Sequence, residues 1–129
     1  MKFSIAASAT LLAFAMPAHA EGDAAKGEKT FNQCKACHMI ASEDETIVRG
    51  GRVGPNLYGV IGRTMGSVED FRYSDGLKEK AEAGEVWTQE RLAEYTTDPS
   101  EFLGSRSKMT FKLRSGSEDV AAYLATFSD

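Results

Sequence analysis

Two thiols three positions apart with an imidazole directly after them, Cys34-Lys35-Ala36-Cys37-His38, prescribe a chemistry before any fold is known. Cys-x-x-Cys-His is the signature at which haem c is attached. The thiols add across the two vinyl groups of the porphyrin, and the imidazole that follows binds the iron. Positions i and i+3 share one face of a helix, so a short helical turn would put both sulfurs on the same side. A structural zinc site needs about four ligands, and the chain has two cysteines and two histidines. A thioredoxin-type dithiol belongs beside a βαβ pattern, which the sequence lacks. A plain disulfide is the remaining alternative, and haem attachment is the reading taken.

Lys2, the apolar residues 3–16 and the small-residue site Ala18-His19-Ala20 together read as a secretory leader, residues 1–20. The apolar run is shorter than the ~20 residues of a membrane span. Cleavage after Ala20 would leave residues 21–129 as one domain and would fit export to the periplasm. It also reduces the possible iron ligands. His19 departs with the leader, so His38 is the only remaining histidine and a bis-histidine iron within one chain is excluded. Met39 adjoins His38 and cannot reach the opposite face of a flat macrocycle. Met65 and Met109 are far enough away in sequence. Met109 leads, because Ser107-Lys108-Met109-Thr110-Phe111 is a polar, basic loop with no apolar stripe for a thioether to join. Met65, in a glycine-flanked loop, stays open, with plain exposure as the alternative to ligation.

Loss of Lys2 takes the formal charge from −4 to −5. The charge is unevenly placed. Arg49, Arg52 and Arg63 stand in residues 47–67 without an acid, and Arg106, Lys108, Lys112 and Arg114 do the same in residues 104–117. Acids gather in residues 69–101 and at Glu43-Asp44-Glu45. The pattern points to a polarised molecule with a positive face.

The elements that must position these residues are helical. Asp23 is a good N-cap for a first helix running into the cysteine signature, with Gly27 and Phe31 on one face. A last helix begins near Ser115 or Ser117, with Ser115 and Glu118 at capping-box spacing. Val120, Leu124 and Phe127 form its stripe, and Ala121 and Tyr123 lie beside it. The terminal helices are expected to pack together, with Gly27 permitting close approach. Ser74 or Asp75 would cap a helix carrying Leu77 and Ala81. Thr88 would cap another, carrying Leu92 and Tyr95 and stopped at Asp98-Pro99, with a short turn after it. Residues 49–63 are a glycine-rich loop. No strand alternation is evident. The class is all-α, with long loops wrapped around one central cofactor, which is what makes loops of that length compatible with a small domain.

With these landmarks in place, the chain resembles the class I c-type cytochromes, most closely the cytochrome c2 and c550 carriers of alphaproteobacteria. The resemblance spans residues 21–129. It rests on Gly27, Phe31, the Cys34–His38 signature, Gly54-Pro55-Asn56-Leu57, Gly62-Arg63, Phe71-Arg72-Tyr73-Ser74-Asp75, Trp87-Thr88, Tyr95, Asp98-Pro99, Lys108-Met109-Thr110-Phe111 and Tyr123-Leu124. It implies the small cytochrome c fold and one haem c per chain, held through Cys34 and Cys37, with His38 and Met109 on the iron. It also implies that Pro55 offers its carbonyl to the His38 ring, that Arg63, Tyr73 and Trp87 surround the haem propionates, that Tyr95 bonds near the Met109 sulfur, and that Phe111 covers the haem edge. Leu77 departs from the asparagine of mitochondrial relatives, Ser107 from a frequent threonine, and the acidic net charge from their strongly basic one.

The implied role is that of a monomeric, soluble periplasmic one-electron carrier, neither an enzyme nor a binder of nucleic acid. Its implied donor is a bc1-type complex, and its acceptor a photosynthetic reaction centre or a terminal cytochrome oxidase. Lys35, Arg52, Lys108 and Lys112 would ring the docking edge and make contacts that are fast, transient and salt-sensitive. The rival is a haem peroxidase or gas binder with an open iron position.

Overall fold

The computed structural model describes residues 22–129. The expected leader, residues 1–20, and Glu21 lie outside the described residues. Helix α1 (Ala24–Thr30) starts where Asp23 caps it: the carboxylate accepts from the Ala25 and Lys26 amides at 2.9 and 3.2 Å. A short 3-10 turn (Phe31–Gln33) carries the chain into the cysteine signature.

The last helix, numbered α5 below (Ser117–Leu124), crosses α1, and Gly27 makes the crossing possible. A Cβ at Gly27 would lie 2.0 Å from the Asp119 carbonyl oxygen and 2.8 Å from the Tyr123 Cβ. Across the contact the Phe31 and Tyr123 rings meet at 5.7 Å, and Tyr123 meets Phe127 edge-on at 5.0 Å. The Asp23 amide also donates to the Asp119 carboxylate at 2.8 Å, which ties the start of α1 to α5. Val120, Ala121 and Leu124 are buried as the stripe requires. The capping box does not form. Gly116, in the left-handed region at φ +85°, holds the N-cap position, and the Ser117 hydroxyl instead accepts from Thr97 at 2.9 Å.

Between the terminal helices run α2 (Asp75–Glu82), α3 (Gln89–Thr97) and α4 (Pro99–Leu103). Thr88 caps α3 through the Arg91 amide at 3.1 Å. Asp98 ends α3 and also caps α4, accepting from the Glu101 amide with Pro99 in the first helical turn. Ser74 sits at the N-cap of α2 but gives no side-chain cap; its hydroxyl points into the protein.

A small hairpin also departs from the expected pattern: β1 (Ile40–Ala41) pairs antiparallel with β2 (Thr46–Val48). Ile40 faces Val48 and Ala41 faces Thr46, so Ile47 is an extra, bulged residue and lies exposed. The alternative of plain exposure for Met65 does not hold. Its amide pairs with the Glu85 carbonyl at 2.8 Å, beside the Thr64–Val86 bridge, and its side chain is fully buried. Among the described residues, no helix is long and apolar enough to cross a membrane.

Candidate functional site

The cysteine signature folds as one helical turn. The amides of Cys37 and His38 both donate to the Cys34 carbonyl, at 3.2 and 3.0 Å. Cys34 is half-buried, Cys37 is exposed, and the two thiols are not joined. Burial, then the neighbouring Cys37, pushes the free Cys34 thiol up to about 11.

His38 follows in a buried position. Its Nδ1 lies 2.8 Å from the Pro55 carbonyl oxygen. A carbonyl can only accept, so Nδ1 carries the proton and Nε2 keeps its lone pair. Burial, with Arg63 nearby, lowers the ring's pKa against the opposing pull of the Pro55 bond, so the ring is held neutral, the form that binds a metal. Pro55 is presented by the glycine-rich loop, which lies directly on the signature. The Gly51 amide donates to the Lys35 carbonyl at 2.9 Å and the Gly54 amide to the Cys37 carbonyl at 2.8 Å.

Contact at Gly54 is so close that a Cβ there would sit 2.2 Å from His38 Cε1. Gly54→Ala is therefore expected to displace the imidazole and to cost about 2 kcal/mol. A denaturant midpoint and a reduction potential both equal to those of the parent protein would contradict this placement of the ring.

The remaining predicted residues fall in a second group. The Trp87 amide donates to the Arg63 carbonyl at 2.9 Å, which sets those two residues side by side. Arg63 Nη1 reaches the Asn56 and Tyr58 carbonyls at 3.0 and 3.4 Å, and burial lowers its pKa. The buried Tyr73 hydroxyl accepts from the Val68 amide at 3.1 Å and lies near enough to Arg63 and Tyr95 to bias the titration of both. Trp87 meets Tyr95 edge-on at 5.1 Å and stacks on Phe102 at 5.9 Å. Tyr95 Oη lies 3.4 Å from the buried Ser107 Oγ, which in turn accepts from the Met109 amide at 3.1 Å. Tyr95 thus reaches the Met109 loop through Ser107. Met109 is partly buried against the edge of the core. Phe111 stands apart from this group and is 40% exposed.

Sequence reasoning read Ser74 only as a helix cap, and gave Asn56 no role. The Ser74 hydroxyl is buried without a partner, although a serine at an N-cap normally bonds its own helix. This donor set fits an iron porphyrin. It offers two unpaired thiols on one turn and a neutral imidazole with one nitrogen occupied. It also has a thioether on a distant loop and a polar group of phenol, guanidinium and hydroxyl suited to carboxylates.

A small, mainly helical fold whose terminal helices cross at a glycine, with Cys-x-x-Cys-His on the turn after the first, defines a class I c-type cytochrome. No family model matches the chain. Similar curated proteins include cytochrome c-550 of Paracoccus versutus, 52% identical over 99% of this chain and 90% of that one. Cytochrome c2 of Rhodobacter capsulatus is 50% identical over 98% of each. The solved structure of ferric cytochrome c-550 from Paracoccus versutus superposes with a TM-score of 0.80 at 53% identity, over 84% of this chain and 100% of that one. The chain belongs to the cytochrome c2 and c-550 family. As in that family, it carries a covalently attached haem c and is an electron carrier, not an enzyme.

Proposed function

We propose that His38 and Met109 are the two axial ligands of the haem iron. The observation that supports this best is how the three methionines outside the expected leader are sorted. Met65 is fully buried in the core, Met39 adjoins His38, and Met109 lies on a loop at the edge of the core. When bound, the group would supply reversible one-electron chemistry, and holding it by a thioether together with an imidazole would favour the ferrous state. The rest of the work falls to the chain. Cys34 and Cys37 hold the group by thioether links. Pro55 fixes the tautomer of His38. Ser107 and Tyr95 anchor the Met109 loop. Arg63, Tyr73 and Trp87, together with the unpartnered Ser74 hydroxyl, solvate the propionates, and Phe111 covers the exposed edge. With both His38 and Met109 holding the iron, the site would admit an electron and no substrate.

The cellular reading is a monomeric, soluble carrier in the periplasm. It takes electrons from a bc1-type complex and passes them to a photosynthetic reaction centre or a terminal oxidase. Export is supported by residues 1–20, whose apolar run and Ala18-His19-Ala20 site read as a secretory leader.

Docking falls to the positive stretches. Lys35 and Arg52 are exposed beside the signature and its covering loop, and Val53, next to Arg52, is 75% exposed. Lys108 and Lys112 are exposed as well, though Lys108 reaches the Arg72 carbonyl at 3.4 Å and Lys112 pairs with Asp98 at 3.3 Å. Such charges steer encounter over a Debye length, ~10 Å at 0.1 M salt and ~3 Å at 1 M. The rate of electron transfer to isolated membranes is therefore expected to fall steeply between those salt concentrations. A rate that does not change with salt would remove the charged docking face.

A further inference from the structure

We propose that Asn56 is a positioning residue for the haem iron: its side-chain amide clamps the loop that presses the Pro55 carbonyl onto His38. Asn56 Nδ2 donates to the Ala41 carbonyl at 2.7 Å, and Oδ1 accepts from the Ala41 amide at 3.0 Å. Both bonds go to one backbone residue, so the side chain pairs with β1 as a neighbouring strand would and fixes a register. The same Oδ1 accepts from the Tyr58 amide at 3.1 Å, and the Asn56 carbonyl accepts from Arg63 at 3.0 Å. On the other side of Pro55, the Gly54 amide is bonded to the Cys37 carbonyl. The proline is thus bracketed by one backbone bond to the signature and one two-pronged clamp to the strand just after it. Its carbonyl has little freedom except to meet His38 Nδ1 at 2.8 Å. Of the near-isosteres, aspartate loses the donor to Ala41, and glutamine is one methylene too long.

The consequence is electronic. An imidazole whose far N–H is held by a carbonyl is a stronger donor, which favours ferric iron. Loosening the clamp lets that bond lengthen, so the reduction potential rises.

The proposal rests on His38 binding the iron, and the test separates the two. Haem-loaded Asn56→Ala and the parent protein are compared by NMR for solvent exchange of the His38 ring N–H and of the Val120 amide. The latter bonds Gly116 at 2.9 Å, in the terminal-helix contact. The expected result is at least ten-fold faster exchange of the ring proton, an unchanged Val120 amide and a raised reduction potential. Equal acceleration of both protons would make Asn56 merely structural, and no acceleration would remove the clamp; either overturns the proposal. If Asn56→Ala does not accumulate, Asn56→Asp, which keeps both acceptor bonds, is read by the same two exchange rates and the same criteria. Ligation is judged on the parent protein alone. If its ferric form leaves the His38 ring resonances undisplaced by the iron's unpaired electron, the ligand assignment fails, whatever the variant does.

Discussion

Met109→Ala is expected to leave the haem covalently attached and to change what the iron does. The thioether is soft and stabilises ferrous iron, so its loss lowers the reduction potential. The drop should be on the order of a few tenths of a volt, a part of the ~0.8 V that axial ligation commands. The position it leaves is then expected to take cyanide in the ferric state and carbon monoxide in the ferrous state, both of which the parent protein is expected to resist. The fold should survive, because the loop keeps its ties away from the sulfur. The Ser107 amide donates to the Ser100 hydroxyl at 3.0 Å, the Leu113 amide to the Thr96 carbonyl at 2.8 Å, and Lys112 pairs with Asp98. A variant with the parent spectrum and potential would show that another group, not Met109, closes that face.

Gly27→Val is expected to have the largest effect on stability. The helix crossing leaves no room for a side chain. Two of the atoms a Cβ would meet are the Asp119 carbonyl oxygen and carbon, at 2.0 and 2.5 Å, and helix backbone cannot swing aside as a flexible side chain can. Separating the helices would expose Phe31, Val120 and Leu124, all now buried, and would break the Asp23–Asp119 bond. The cost should be about 3 kcal/mol, the upper range for overpacking a core. For a domain of this size that lowers the melting temperature by roughly 10 °C or more. Unfolding of purified, haem-loaded protein measures it, and a melting point within a degree or two of the parent would mean the helices do not meet at Gly27.

The terminal helices were legible because their signals are local. Asp23 caps, Gly27 is small, and Val120 and Leu124 recur at helical spacing on one face. The signature was legible because the chemistry fixes residue types and spacing together. Where pairing acts over distance or a local rule is overridden, the sequence misleads. A two-residue strand with a bulge has no alternation to read, so the hairpin was invisible. Ser115 and Glu118 have capping-box spacing, yet Gly116 in the left-handed region takes the cap and Ser117 turns to Thr97. Met65 stands among loop residues, where exposure was an open alternative, but it pairs with Glu85 and is buried. The Asn56 clamp closes on Ala41, fifteen positions earlier, and the orphaned Ser74 hydroxyl declares itself only through burial.

One absorption measurement on the purified protein, oxidised and then reduced, bears most directly on the central claim. An iron held by His38 and Met109 gives low-spin spectra in both states, a weak far-red sulfur-to-iron band in the ferric form, and no prompt change when cyanide is added. A high-spin ferric spectrum that shifts at once with cyanide would mean that one face of the iron is open.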